Sequence, residues 1–367
     1  MSEPLRIGVD GSMFSDQPRG HSLYAYRICR ELGDHLPGAR FFLYAPHDSD
    51  LSSFKGDWIR RTNRAATSLS PVAWLKTAGS LLARKDGLHV FWSPYVFLPL
   101  LPSQVRAMIT FHDLIGDLSP ESFSPLHSLA FRFFLNSDMK RASSIIANSH
   151  GTQNRVLARY GRESVVIPPS LSPDFRRPTP AVFAKVLDQH GISGRYLLNV
   201  AAWEPRKNIE LLIRTFLRMK REGLLPSHKL LLTGRKERGC DGIERLIKSC
   251  GQGLVRDLGY VPEADLPSLY AGADALVFPS IYEGFGMPVL EARNCGTTVV
   301  TTDLPELREA GGDGCIYIEP TEEGIRQGII AALEAVGPLR DSSYSGSWHE
   351  SAGILAGEIL RLVHTHR

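Results

Sequence analysis

Tyr282-Glu283-Gly284-Phe285-Gly286-Met287-Pro288-Val289-Leu290-Glu291-Ala292 follows the apolar run Ala275-Leu276-Val277-Phe278-Pro279-Ser280, which reads as a buried strand. Gly284 and Gly286 let the backbone turn sharply and approach a ligand closely. Pro288 suits the first residue of a helix, where its missing N–H costs nothing. Gly286 and Met287 would then present amide hydrogens at a helix N-terminus, a ready site for an anion or a hydroxyl. Glu283 in the turn and Glu291 in the helix can grip two separate hydroxyl-bearing parts of one ligand, such as a sugar and a ribose. Taken singly, Glu291 could merely complement the helix dipole, and Glu283 could be a solvated turn residue. Together, around a Gly-x-Gly turn at a strand end, they read as a ligand site.

Bulk properties narrow the class. The chain has 367 residues, 43% hydrophobic and 22% charged, which suits two soluble globular domains. A net charge of +3 is too small to argue for a nucleic-acid partner. Cys29, Cys240, Cys250, Cys295 and Cys315 lack C-x-x-C spacing, and their odd number fits a reducing compartment without structural zinc. Residues 1–6 run straight into a strand with no visible secretory signal, and no apolar run approaches a membrane span. The expectation is a cytoplasmic protein.

Short apolar strands alternate with helical stretches, which argues for parallel α/β layers. Strands are expected at residues 6–9, 40–45, 107–111, 144–147 and 165–167, with a helix at 22–32 entered through Gly20. Pro168, Pro169, Pro173, Pro178 and Pro180 then crowd a linker. A second alternation places strands at 196–202, 229–233, 275–278 and 298–301. A loop at 337–347 leads to a last amphipathic helix, 349–363.

Residues 283–291 resemble the E-G-F-G-x-P-x-x-E signature of the retaining glycosyltransferases of family 4 (GT4). The resemblance implies the GT-B fold: two doubly wound Rossmann-like α/β domains facing a central cleft, the C-terminal helix crossing back to the N-terminal domain. The expected division is an acceptor-binding domain, 1–172 with helix 348–367, and a donor-binding domain, 173–347.

In open α/β sheets, ligands bind outside the carboxyl ends of the strands, and the remaining motifs fall there. Trp203-Glu204-Pro205-Arg206-Lys207-Asn208 follows one strand and resembles the stretch carrying the family's pyrophosphate-binding basic pair. Arg206 and Lys207 would stabilise a departing diphosphate, whose growing charge needs fixed cations or a metal. Many members carry an arginine where this chain has Ala202, so Arg206 would take that part. Thr110-Phe111-His112-Asp113-Leu114 resembles the H-D-L motif, whose histidine contacts the transferred sugar. From chemistry alone, His112 could be a base, a donor or a cap. Gly20, in Pro18-Arg19-Gly20-His21, resembles the glycine that lets acceptor and phosphate approach. Asn148-Ser149 resembles the family's strand-end serine, and N-capping of the next helix is the simpler role for Ser149. Leu258-Gly259-Tyr260-Val261 and Thr233-Gly234-Arg235-Lys236 resemble donor loops, placing Tyr260 and Gly234 near the nucleotide. The resemblance adds Phe285, Gly286, Met287, Pro288 and Leu290 to the donor site and gives Glu291 the ribose.

Asp48-Ser49-Asp50 has the D-x-D spacing of a metal site, but it sits in the acceptor-side domain and reads as a polar turn. No metal and no resident cofactor is expected. Arg60, Arg61, Arg64, Trp74, Lys76, Arg84, Lys85, Phe91, Trp92, Tyr95 and Phe97 could form a basic, aromatic surface for peripheral membrane contact, or a solvated helix with core aromatics. The T-F-H-D-L and E-P-R-K-N variants resemble bacterial mannosyltransferases of surface polysaccharides. The expected activity is transfer of a hexose, mannose from GDP-mannose, to a glycan or lipid-linked saccharide acceptor. A UDP-hexose donor, a sugar-nucleotide epimerase, a phosphorylase and a non-catalytic partner subunit remain open alternatives.

Overall fold

In the computed structural model, the described residues are 3–14, 20–63, 66–114, 125–237, 240–251, 253–335 and 346–365, with backbone alone for 125–130. They form two compact units, Met1–Ser170 with Gly346–Arg367, and Leu171–Ser345.

The first unit holds β1 (Arg6–Asp10), β2 (Arg40–Tyr44), β3 (Asp57–Arg61), β4 (Val90–Ser93), β5 (Arg106–Phe111), β6 (Ser144–Ala147) and β7 (Val165–Val166). They pair in the order β3-β2-β1-β4-β5-β6-β7, every pairing parallel. Parallel strands covered on both faces read as apolar runs, and all four residues of β4 and of β6 are buried. The chain steps outward from β1 to β3, then returns to the other side of β1 as β4. The carboxyl ends of β1 and β4 therefore flank a topological switch point.

The second unit repeats this logic. β8 (Tyr196–Val200), β9 (Lys229–Thr233), β10 (Val255–Asp257), β11 (Ala275–Phe278), β12 (Val299–Thr302) and β13 (Ile316–Ile318) pair in parallel as β10-β9-β8-β11-β12-β13. Here the switch point lies between β8 and β11. Leu212, Ile213 and Phe216, from the helix Ile209–Arg221, pack into the core on this sheet.

The helix Trp348–His364 opens on a capping box made by Ser347 and Glu350. Ala352, Leu355, Ala356, Ile359 and Leu362 are buried in one cluster with Ala25, Ile28 and Leu32 of the helix His21–His35. Their spacing of three and four is that of one helix face. The Ser351 hydroxyl donates to the Pro168 carbonyl at 2.7 Å, and the Ser170 hydroxyl to that of Gly346. The chain thus closes on its first unit, as the resemblance implies.

The aromatics named for peripheral membrane contact take the other alternative and lie in the core. Trp74, Phe91 and Trp92 are fully buried, and Tyr95 and Phe97 nearly so. The stretch supplies β3 and β4, and its aromatics fill both faces of the first sheet. Two of its basic residues answer buried acids: Arg61 pairs with Asp86 at 2.7 Å and Lys76 with Asp138 at 2.5 Å. Arg64 lies outside the described residues.

Two helical glycines give opposite expectations. A Cβ at Gly33 would sit 1.9 Å from the Lys55 carbonyl oxygen, whereas one at Gly357 would meet nothing within 4 Å. Gly357→Ala should therefore gain about 0.5–1 kcal/mol of helix propensity. Gly33→Ala should lose stability despite the same intrinsic gain, and paired denaturant titrations check the two signs.

Candidate active site

The β8–β11 switch point brings two strand-end loops together. After β8, the single helical turn Pro205–Lys207 is followed by Asn208 in the left-handed region, φ 56°, a conformation asparagine tolerates better than most residues. After β11, Ile281 N–H donates to the Arg206 carbonyl at 2.8 Å. That bond locks the basic pair beside the acidic turn.

Lys207 Nζ lies 2.5 Å from Glu283 Oε1, with the lysine 8% and the glutamate 5% exposed. The ammonium also stands 5.2 Å over the Phe278 ring, a cation–π contact. Arg206 Nη1 donates to Glu283 Oε2 at 3.3 Å and to the Tyr282 carbonyl at 3.1 Å, while its Nε reaches Glu204 Oε2 at 2.5 Å. Burial alone would raise the Glu283 carboxyl, but Lys207 and Arg206 outweigh it and hold the carboxyl below its usual range. Glu283 is therefore a firmly ionised group whose two oxygens face two cations.

Gly286 caps the helix Met287–Asn294 with φ 102°, and a Cβ there would lie 2.5 Å from Leu307 Cδ2. The helix begins one residue earlier than the sequence suggests, at Met287. Among the described residues, the amides of Gly286 and Met287 donate to no protein group. They are the open donors expected at a helix start. Phe285 and Leu290 are buried in the core, so either can reach a ligand only through its backbone. Met287 and Pro288 are half-buried.

Glu291 behaves differently from Glu283. Burial raises its carboxyl to about 7, with Glu263 adding to the rise and a hydrogen bond from Tyr270 opposing it. Tyr270 O–H donates to Glu291 Oε2 at 2.7 Å. Gly234, at the end of β9, has φ 147°, and a Cβ there would fall 1.8 Å from the Ala201 carbonyl oxygen. No other residue lets the β8 and β9 loops pack this way. Its N–H donates to the Gly259 carbonyl at 3.0 Å, and Tyr260 beside it is 55% exposed. Lys236 is held by Glu244 at 2.9 Å and Asp257 at 3.0 Å, whereas the Arg235 side chain is 76% exposed.

In the first unit, His112 follows β5 and is buried. Its Nε2 lies 2.8 Å from the Pro94 carbonyl, which can only accept, so Nε2 carries the proton and Nδ1 keeps a lone pair. Burial, then the charge of His21, lowers its pKa well below the usual value against the opposing Pro94 bond. The ring stacks on His21, centroids 4.2 Å apart, and meets the edge of Tyr24 at 4.9 Å. It lines a cavity of about 210 Å³ with Met13, Tyr95, Phe97, Phe131 and Tyr160. Gly20, φ 51°, opens the helix that carries His21; Pro18 and Arg19 lie outside the described residues. Ser149 caps its helix by accepting from Thr152 N–H at 3.0 Å.

Asp48 and Asp50 form a local turn. Asp48 meets Arg60 at 3.3 Å, and Asp50 accepts the N–H and hydroxyl of Ser52 at 2.8 and 2.9 Å. Among the described residues, Glu31, Asp34 and His349 form the one grouping with metal-ligand spacing, and Lys55 holds both carboxylates at 2.7 Å. The sequence reading missed Glu204, His21 and Tyr270. His21 adjoins Gly20 and Glu204 stands two residues before Arg206, both of which it had chosen, whereas Tyr270 left no local signal.

Comparison with known proteins bears on the family and the fold. The family described as Glycosyltransferase Family 4 matches residues 18–175, and that described as Glycosyl transferases group 1 matches residues 187–342. The O-antigen chain mannosyltransferase B of Escherichia coli is 31% identical over 265 residues, 71% of this chain and 68% of that protein. The O-antigen chain mannosyltransferase RfbU of Salmonella typhimurium is 28% identical over 278 residues, 74% of each chain. Among solved structures, WaaG, a glycosyltransferase involved in lipopolysaccharide biosynthesis, superposes with a TM-score of 0.68 at 17% identity over 98% of both chains. Anabaena HepE in complex with UDP and glucose gives 0.66 at 19% identity, also over 98% of both. At such identities the likeness is one of fold.

Lys207→Met removes one of the two cations beside the buried Glu283, and should cost about 3 kcal/mol, the low end for a broken buried pair. Adding Glu283→Gln should restore most of the thermal stability without restoring activity. A pair with a structural role only would recover both.

Proposed function

The chain belongs to the family 4, group 1 glycosyltransferases, and from that premise we propose that it transfers mannose from GDP-mannose with retention at the anomeric carbon. The acceptor is a glycan or lipid-linked saccharide of a bacterial surface polysaccharide, and the setting is the cytoplasm. The observation that carries the reading is the Arg206–Lys207–Glu283 cluster at the switch point, beside two open helix-start amides. The choice of mannose rests on the relatives named for O-antigen mannosyl transfer.

As the bond between the sugar C1 and the diphosphate oxygen breaks, its electron pair moves to the diphosphate. Arg206 and Lys207 take up that charge, and the Gly286 and Met287 amides, at a helix N-terminus, bind hydroxyls of the sugar beside it. Fixed cations make a divalent metal unnecessary in this scheme. Glu283 has both oxygens engaged by Lys207 and Arg206, which leaves neither free to attack C1 in a double displacement. The acceptor oxygen instead bonds C1 on the face the diphosphate leaves, and its proton passes to the departing phosphate oxygen. Glu283 binds hydroxyls of the donor hexose. Glu291 holds the ribose, while the backbone at Gly234 and Tyr260 borders the base. His112, neutral with a free Nδ1 lone pair, accepts a hydroxyl of the transferred sugar. Gly20 keeps the entrance of its helix open to acceptor and phosphate.

Peripheral membrane contact belongs to the same proposal, on exposed apolar residues other than the aromatics the sequence named. Leu81, Leu100 and Phe133 are 63%, 48% and 69% exposed. Arg84 and Arg141 hold this region together through the carbonyls of Leu100 and Pro99. Among the described residues no helix is long and apolar enough to cross a membrane.

Calorimetry with GDP, UDP, ADP and dTDP in EDTA tests the donor. Selective binding of GDP supports the proposal, selective binding of UDP overturns the donor, and no binding by any favours a non-catalytic subunit. A pH series tests Glu291. Ligand binding favours its ionised form, so GDP-mannose affinity should rise from pH 6 to pH 8, about tenfold for a carboxyl titrating near 7. Glu291→Gln should flatten that dependence.

A further inference from the structure

The carboxyl assigned to the ribose is held by a residue with no part in the scheme so far. Tyr270 belongs to the short helix Leu266–Gly272 and is fully buried. Among the described residues, its hydroxyl makes the one hydrogen bond to the Glu291 carboxylate, on Oε2 at 2.7 Å. The tyrosine is fixed in turn. Thr297 Oγ1 donates to its carbonyl at 2.6 Å, and the Phe175 ring stands 6.4 Å away.

A buried tyrosine hydroxyl needs an acceptor, and a backbone carbonyl satisfies it without cost elsewhere. Tyr196 shows that ordinary solution nearby, donating to the Leu269 carbonyl at 2.8 Å. Tyr270 instead donates to a carboxylate whose ionisation burial opposes. An unrestrained glutamate samples several side-chain rotamers, and gripping two neighbouring hydroxyls with one carboxylate requires a single orientation.

We propose that Tyr270 is a positioning residue for the nucleotide, holding Glu291 Oε2 so that the carboxylate is preset for the two vicinal hydroxyls of a ribose. This rests on the assignment of Glu291 to the ribose made above. Tyr270 does not touch the substrate. It lowers the ordering cost of the group that does.

The test uses the full chain and Tyr270→Phe, which keeps the ring and removes the hydroxyl. Losing a hydrogen bond to a charged group predicts about a tenfold rise in the GDP-mannose KM and in the GDP Kd, with kcat nearly unchanged. The sharper readout is a cycle with 2′-deoxy-GDP. The wild type should lose affinity when the 2′-hydroxyl is removed, and Tyr270→Phe should lose much less. Tyr196→Phe, which removes a core hydroxyl of the same kind, should leave the GDP Kd and the 2′-deoxy penalty as in the wild type. A Tyr270→Phe variant with unchanged Kd, or with the full 2′-deoxy penalty, overturns the inference while leaving Glu291 in place. If Glu291→Gln binds GDP as tightly as the wild type, the ribose assignment falls and the inference falls with it.

Discussion

The buried ion pair between Lys207 and Glu283 governs the carboxyl edge of the second sheet. The order β10-β9-β8-β11-β12-β13 forces the loops after β8 and β11 to part on opposite sides of the switch point. The pair bridges that gap, and the Ile281–Arg206 backbone bond holds it in register. Desolvating two charges is expensive and their attraction roughly repays it. Such a pair is weak evidence of stability for its own sake. Its arrangement makes sense when the cations must stand ready, fixed and unhydrated, for a more strongly charged ligand.

The two glutamates of the turn have been given opposite surroundings. Glu283 faces Lys207 and Arg206 and stays ionised. Glu291 is half-buried and meets a tyrosine hydroxyl, and burial of the carboxyl raises its pKa to about 7. Environments that push like groups apart assign them different work. In the proposed reaction the firmly ionised one orients cations and sugar hydroxyls, and the other answers to binding. His112 in the first unit follows the same economy: the Pro94 carbonyl takes the only ring proton and leaves one defined acceptor.

Much of this was legible because it was local. Glu283, Gly286, Pro288 and Glu291 lie in one stretch, and their chemistry can be read from spacing and helix-start rules alone. The apolar runs that became β1, β2, β5, β6, β7, β8, β9, β11 and β12 were legible for the same reason. What escaped depends on contacts distant in sequence. Phe91 and Trp92 could be surface or core aromatics from the sequence, and the pairing of β4 between β1 and β5 decides for the core. β10 and β13 have three residues each, too few to show a period. Gly234 looked like one donor-loop glycine among several until the Ala201 carbonyl was found against it. Tyr270 lies on another helix from its partner Glu291, so no motif records the bond. Leu290 was read as a ligand residue from the motif, yet its side chain, like that of Phe285, belongs to the core and only the backbone remains available.

The most direct test is a crystal structure with GDP-mannose bound. The account predicts diphosphate oxygens within hydrogen-bond reach of Lys207 Nζ and Arg206, and the ribose hydroxyls on Glu291. It also predicts the hexose beside Glu283 and the helix-start amides. A sugar nucleotide bound elsewhere, or bound here with the Lys207–Glu283 pair intact and no phosphate contact to either cation, would contradict it.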